Sequence, residues 1–430
     1  MMQTMILTLD LGSTSFKAAV FDSGLKKAGE GSAALEYCSG SGGKVEFSAD
    51  GAEESVRTAV AAAFSDSSAS ADMIRAVAVT SQAQTFTVLK ADGELKIPFV
   101  SWLDTRAAKH NRLARDLGHF AEHSSVDECL PILMAAKLAF CNDQPSVLVS
   151  GQDLILPLPA FLMFRMCGKA CIDPNIAAMS GLYSLKYRDW WDESLDTCRI
   201  TRGNLPALCP TGKAAAVTNN RACEFGIPAG IPFVPAGNDQ TAGAYGAELH
   251  AADALLITLG TAQVAYRCTP CLPFPVPGTM RGTYPGGRYY QMAADKYGGC
   301  TVNWAKTVLD GCSTDEAFAE AAGSADGSCP PIRFIADGNA GSGRWEGITG
   351  DHTASEKARA VLECLTDRMT EMICRMNIDL TDRTVLAAGG GSRCTPWVRM
   401  LGAKLGKKLQ TTDASPGLGA ARMAAENCGT

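Results

Sequence analysis

The segment Leu7 to Asp22, LTLDLGSTSFKAAVFD, constrains the fold most, because it reads as strand, tight turn, strand and recurs in the second half of the chain. An apolar run ends in Asp10, Gly12-Ser13-Thr14-Ser15 turns the chain, and Phe16 to Phe21 leaves as a second strand carrying Lys17. Gly12 lets backbone approach a ligand, and the following N–H groups and hydroxyls form a nest for an anionic oxygen such as a phosphate. Asp10, at the end of a buried strand, then faces the metal ion that accompanies the phosphate. Taken alone, the segment reads more simply as a hairpin with a capping Asp. The second copy shifts that balance.

Leu255 to Arg267, LLITLGTAQVAYR, repeats the device with Gly260-Thr261-Ala262 as its turn. Two hairpins, each setting a turn on the phosphate tail of a nucleotide, predict an α/β, two-domain actin-like ATPase (ribonuclease H-like) fold with a central cleft. A chain of 430 residues exceeds a single core and suits two domains. The expected division is 1–247, with the first phosphate motif, and 248–430, with the second. Only the first turn carries an acid, so Mg²⁺ is expected on that side, held by Asp10.

Composition removes several function classes. Apolar residues make up 46% and charged ones 20%, as in a globular protein with a large core. Net charge is −6 without a run of Lys and Arg, so nucleic acid is not an expected partner. No apolar run is long enough to span a bilayer and no basic leader precedes the first strand, so a cytoplasmic protein without membrane contact is expected. The 17 cysteines are scattered through apolar patterns, as Cys364 and Cys374 are, and read as reduced core thiols. Cys268 and Cys271 form a lone C-x-x-C with no second pair for zinc.

Along the chain, Glu53 to Phe64 is expected as a helix, and RAVAVTS, Arg75 to Ser81, as a buried parallel strand ending near Gln82 and Gln84. Ligands sit at the carboxyl ends of such strands, which makes these amides candidates for a hydroxylated substrate. Leu95 to Arg106 ends another strand on Trp102 and Asp104, an aromatic face beside a carboxylate that suits a sugar. Asp104 equally fits the N-cap of a following helix through Leu113 and Leu117. His119 and His123, four apart, read as surface residues rather than metal ligands. Residues 130 to 210 yield no chemistry beyond a buried Trp190-Trp191 pair.

Ile231 to Ala247 runs from a strand through Pro235-Ala-Gly237 into a small-residue helix with Asp239 and Gln240 in its first turn. A helix start keeps a carboxylate ionised, so Asp239 is expected to be unprotonated at neutral pH and able to accept a proton; plain capping is the competing reading. Pro270 to Gly287 reads as an irregular loop, and Ala358, Val361, Leu362, Leu365, Met369, Met372 and Ile373 as the core stripe of a long helix. Arg383 to Ser392 is a second buried strand, ending on Gly389-Gly390-Gly391, an open surface for adenosine. Gly417 to Ala425 is a small-residue helix able to approach its neighbours closely.

These residues together resemble the FGGY carbohydrate kinases, over nearly the whole chain. Asp10-Leu-Gly-Ser-Thr-Ser15 with Lys17 resembles that family's first phosphate motif, Leu259-Gly-Thr261 its second, Gly343 to Glu363 its C-terminal signature, and Gly389 to Leu405 with Pro416 to Ala425 its adenosine segment. The resemblance implies an ATP- and Mg²⁺-dependent kinase in which Asp239 is the catalytic base. Asp10 orients the metal, and Gly12, Ser13, Thr14, Lys17, Gly260, Thr261, Gly389, Gly390 and Gly391 hold the nucleotide. Gln82, Gln84, Trp102, Asp104 and Gln240 fall on its substrate stretches. Gln82-Ala83-Gln84 departs from the tripeptides of xylulokinases and glycerol kinases at this place and supports neither specificity; the resemblance as a whole implies a small sugar or polyol, with a ketose of the xylulose type as the expected substrate. A homodimer is compatible with the sequence. The alternatives are a non-catalytic nucleotide switch of the same fold, which needs no base beside a polar, sugar-sized pocket, and a sugar-binding regulator, which would close on its ligand without releasing ADP.

Overall fold

The computed structural model describes residues 4–109, 117–144, 149–250, 253–325, 332–338, 341–350 and 352–428. Two six-stranded sheets form its frame. The N-terminal sheet contains β1 (Met5–Leu11), β2 (Ser15–Asp22), β3 (Lys27–Ala34), β4 (Ile74–Ser81), β5 (Ala216–Val217) and β6 (Pro232–Asn238), in the order β5-β6-β4-β1-β2-β3. The C-terminal sheet contains β7 (Ala254–Leu259), β8 (Gln263–Thr269), β9 (Met280–Tyr284), β10 (Arg288–Asp295), β11 (Thr384–Ala388) and β12 (Leu409–Thr411), in the order β9-β10-β8-β7-β11-β12. In each, an antiparallel hairpin continues on one side into a third antiparallel strand and on the other into parallel strands. The repeat expected from the two turns is therefore a repeat of five strands in each sheet, to which β5 adds an antiparallel strand in the first and β9 one in the second.

Register explains why the site forms where it does. Asp10 lies opposite Lys17 on β2 and beside Thr80 on β4, while Asn238 at the end of β6 lies beside Ser81 on β4. The parallel strands β1, β4 and β6 thus end together, bringing Asp10 and Asp239 to one edge. β4 is buried almost throughout, as an apolar run inside a parallel sheet must be.

The helices flank these sheets. Among them are α1 (Ala49–Ser65), α2 (Pro174–Met179), α3 (Asp239–Gly246), α4 (Gly299–Val308), α5 (Asp315–Ser324), α6 (Ala354–Arg375), α7 (Thr395–Leu405) and α8 (Pro416–Cys428). α1 starts at a Ser48 cap whose hydroxyl accepts from the Gly51 N–H at 3.0 Å. The apolar stripe foreseen on α6 is buried residue for residue. α8, near the chain's end, crosses back and packs on α3 and on the N-terminal sheet, contributing Ala420, Ala421, Met423 and Ala424 to a core cluster that also holds Ile6, Val234 and Tyr266. Its glycines permit this, since a Cβ on Gly419 would fall 1.7 Å from the carbonyl oxygen of Ala242.

Several expectations change. The Pro/Gly-rich stretch 270–287 includes β9, which adds an edge to the C-terminal sheet. Leu113 lies outside the described residues, and Leu117 is buried but not helical. His119 is exposed with a left-handed backbone, whereas His123 is buried on Trp191 and bonded to the Ser184 hydroxyl at 2.8 Å, so the pair shares no surface. Of the 15 cysteines found free among the described residues, Cys374 is exposed rather than in the core. Among the described residues no helix is long and apolar enough to cross a membrane.

Candidate active site

Asp10 presents an unusual carboxylate. Its Oδ1 is buried with no hydrogen-bond partner, and burial, then the charge of Asp239, raise its pKa to about 7 against the opposing pull of Lys17. Asp239 is likewise raised above the ordinary carboxylate value, by burial, although the Gln240 N–H donates to its Oδ1 at 2.8 Å. Desolvation thus opposes the helix-start effect behind the expectation of an unprotonated Asp239 at neutral pH, and outweighs the N-terminal N–H groups in setting the direction of the shift. Nor does Asp239 cap α3: the cap is Asn238, whose side-chain oxygen accepts from the Thr241 N–H at 2.9 Å. Asp239 is left facing its neighbour.

A partnerless buried carboxylate oxygen fits a hard divalent cation. Among the described residues no three ligating side chains group together. Mg²⁺ commonly takes one or two carboxylates and completes its shell with substrate phosphate and water, so Asp10 suits it.

The first phosphate turn is held from behind. The Tyr37 hydroxyl donates to the Ser13 carbonyl at 2.6 Å, and Gln82 Nε2 donates to the Gly12 carbonyl at 3.0 Å. Gln82 Oε1 accepts from Thr85 Oγ1 at 3.1 Å, and that hydroxyl accepts in turn from the Trp102 N–H at 3.0 Å. A continuous chain of hydrogen bonds thus links the stretch expected to bind substrate to the turn expected to bind phosphate. The Gln84 amide is taken up by backbone: its Oε1 accepts from Met134 N–H at 2.8 Å and its Nε2 donates to the Met179 carbonyl. Asp104, 2% exposed, is chelated by Arg106 and accepts from the Val45 N–H at 2.9 Å, with Arg106 extending to Glu46 at 2.6 Å. Its Oδ1 also accepts from the Arg106 N–H at 3.0 Å, which is closer to the capping reading than to an acid open to ligand. Of this substrate set, Gln84, Trp102 and Gln240 keep partial exposure, and of these only Gln84 has its side-chain amide committed to backbone on both sides. Sequence reasoning missed Tyr37 and the buried Lys137, whose ammonium donates to the Ser101 carbonyl at 2.7 Å and whose pKa burial lowers to about 7.

The second turn lines a cavity of about 650 Å³ together with Asn303, Gly390, Gly391, Arg393 and Trp397. Gly260 and Thr261 form one wall, steadied by the Gly299 N–H on the Gly260 carbonyl at 2.7 Å and the Cys300 N–H on the Thr261 carbonyl at 3.1 Å. The three glycines after β11 have different reasons to be glycine. Gly389 has φ +85° and lies against the Leu259 carbonyl, Gly391 lies against Trp397, and only Gly390 would carry a side chain into open space. Asn303, Arg393 and Trp397 were not singled out from the sequence. The Gly298-Gly299 pair ahead of α4 was the available signal, because a Cβ on Gly299 would meet the Gly260 carbonyl oxygen at 2.8 Å.

Known proteins resemble this chain in sequence and in fold. The family model for the FGGY family of carbohydrate kinases, N-terminal domain, matches residues 5–246. The chain is 26% identical over 370 residues to a xylulose kinase of Escherichia coli, a match covering 82% of this chain and 75% of that protein. It is 26% identical over 464 aligned residues to a glycerol kinase of Agrobacterium fabrum, covering 99% and 90%. A xylulose kinase structure from Lactobacillus acidophilus, 21% identical, superposes with a TM-score of 0.87 over 99% of this chain and 90% of that one.

Proposed function

The chain belongs to the FGGY family of carbohydrate kinases, and from that premise we propose that it transfers the γ-phosphoryl group of ATP to a hydroxyl of a small ketose of the xylulose type. The meeting of Asp10 and Asp239 at one sheet edge carries this reading, since a base beside a phosphate turn is what phosphoryl transfer to an alcohol needs. In this reading adenosine occupies the cavity beside Gly390 and the two turns take the phosphates through their N–H groups. Trp102 and Gln240 face the sugar, while Gln82, Gln84 and Asp104 brace the wall behind it. Asp239 accepts the proton as the sugar oxygen attacks phosphorus. Its raised proton affinity helps, because a base acts best with a pKa drawn toward the working pH. Mg²⁺, held by Asp10, would neutralise charge on the phosphate oxygens. Lys17, opposite Asp10, adds a positive charge on the same side.

A coupled ADP-release assay over ketoses, polyols and aldonates tests the reading. We expect turnover to be greatest with a pentulose. Turnover greatest with glycerol would overturn the ketose assignment, and no sugar-dependent ADP release with any substrate would overturn the kinase mechanism.

A further inference from the structure

We propose that Asn175 is the positioning residue for the base, tying the Asp239 turn to the C-terminal sheet. Asn175 opens α2 in the stretch where the sequence revealed no chemistry, and its side chain is fully buried. Its Oδ1 accepts from the backbone N–H of Asn238 at 2.8 Å, one residue before Asp239. Its Nδ2 donates to the Thr241 hydroxyl at 2.9 Å, on the first turn of α3, and to the Thr283 carbonyl at 2.6 Å. Thr283 belongs to β9, and the Thr241 hydroxyl also meets the Tyr266 hydroxyl of β8 at 2.9 Å. One amide therefore grips the residues on both sides of Asp239 and ties them to β9, while the Thr241 hydroxyl it holds reaches β8.

The surroundings are built for this reach. Gly237 has φ +74°, and a Cβ there would lie 2.9 Å from Asn175 Oδ1, so only glycine lets the amide approach the turn. Asn175 is held in its own place by Asp173, whose carboxylate accepts from the Asn175 N–H at 3.0 Å. The other end of α2 is fixed by the Gln84 amide on the Met179 carbonyl. A base fixed jointly by both sheets is in register with the attacking hydroxyl only when the sheets hold the arrangement that also aligns the two phosphate turns. Misplacement of a reacting group by about 1 Å is enough to cost on the order of 10²-fold in rate.

This inference rests on Asp239 being the base, and a double-mutant cycle separates the two ideas. Asn175→Ala is expected to lower kcat on the order of 10²-fold with the calorimetric affinity for ATP unchanged. In the Asp239→Asn background the same substitution should cost less than about 3-fold, because nothing remains to be positioned. An equal loss in both backgrounds, or a wild-type kcat in folded Asn175→Ala, would overturn the positioning role. Near-normal turnover of Asp239→Asn alone would instead overturn the base. If Asn175→Ala does not fold, Asn175→Asp keeps the acceptor for Asn238 and loses the donor to Thr283, and the same cycle is read with the same two outcomes.

Discussion

The carboxylates of Asp10 and Asp239, brought together because β1 and β6 flank the same central strand, sense each other electrostatically: after burial, the charge of Asp239 is the main reason Asp10 stands at about 7. Two acids in one partly desolvated place are a destabilising arrangement for the empty protein, and a cation relieves it. Stability is given up at the point where the proposed chemistry is placed.

That cost has a pH signature. The Asp10 proton affinity is raised on folding, from the ordinary 3.8 to about 7, so between those values the folded state binds more protons than the unfolded one. This group's contribution to stability therefore falls as pH rises through the window from about 4 to about 7. Asp10→Asn should raise the thermal midpoint relative to wild type at pH 8 and leave it nearly unchanged at pH 4. Equal midpoint shifts at both pH values, measured by calorimetry without ligand, would remove Asp10 as the source.

Asp239→Asn keeps shape but cannot accept a proton, so the chemical step should slow on the order of 10²- to 10⁴-fold. Because Asn238, not Asp239, caps α3, the substitution should leave helix capping intact and the thermal midpoint no lower than wild type. ATP affinity should barely move. Steady-state turnover, calorimetry and a thermal scan check the three together, and near-normal turnover would end the general-base assignment.

Gly390→Val should weaken ATP binding while leaving sugar affinity and folding intact, since the nearest atom to a Cβ there is 3.9 Å away, on the Arg393 guanidinium, and the branches enter the cavity. Gly391→Ala is the contrasting case. Its Cβ would lie 2.6 Å from the Trp397 ring and 2.8 Å from Leu259 Cβ, so a stability loss of about 1–3 kcal/mol from overpacking is expected. If calorimetry shows unchanged ATP affinity for folded Gly390→Val, the cavity is not the adenosine site.

The fold was legible where chemistry and topology coincide in a short segment. The turns at Gly12 and Gly260 carry their own glycines, hydroxyls and flanking apolar strands, so both hairpins could be read locally. The roles of Gln82, Gln84 and Asp104 could not, because whether a polar side chain faces a ligand or a backbone group depends on partners such as the Gly12 and Met179 carbonyls and the Val45 N–H, remote in sequence. Asp239 shows a second limit. A helix start is visible in sequence and burial is not, so desolvation as the largest influence on its proton affinity is legible only in the structure. Asn175 was invisible for the same reason, since every bond of its amide reaches another element.

Tyr37 gives the cleanest test of whether the phosphate turn needs its rear support. Its hydroxyl holds the Ser13 carbonyl at 2.6 Å while its ring packs edge-on against Phe47, with centroids 5.6 Å apart. Tyr37→Phe keeps that ring contact and removes the hydroxyl, which donates to Ser13 and also interacts with the Ser101 and Gln82 side chains. The Ser13 peptide is then free to rotate, and the N–H groups of the turn lose the alignment that a nest requires. One neutral hydrogen bond contributes about 1 kcal/mol, so KM for ATP should rise about 3- to 10-fold with sugar KM unchanged. Gln82→Leu removes the neighbouring donor to Gly12 and should act in the same direction, and the double variant should lose more than either. An unchanged KM for ATP in both single variants would mean that the turn keeps its shape without them, and that the hydrogen-bond chain from Trp102 to Gly12 serves packing alone.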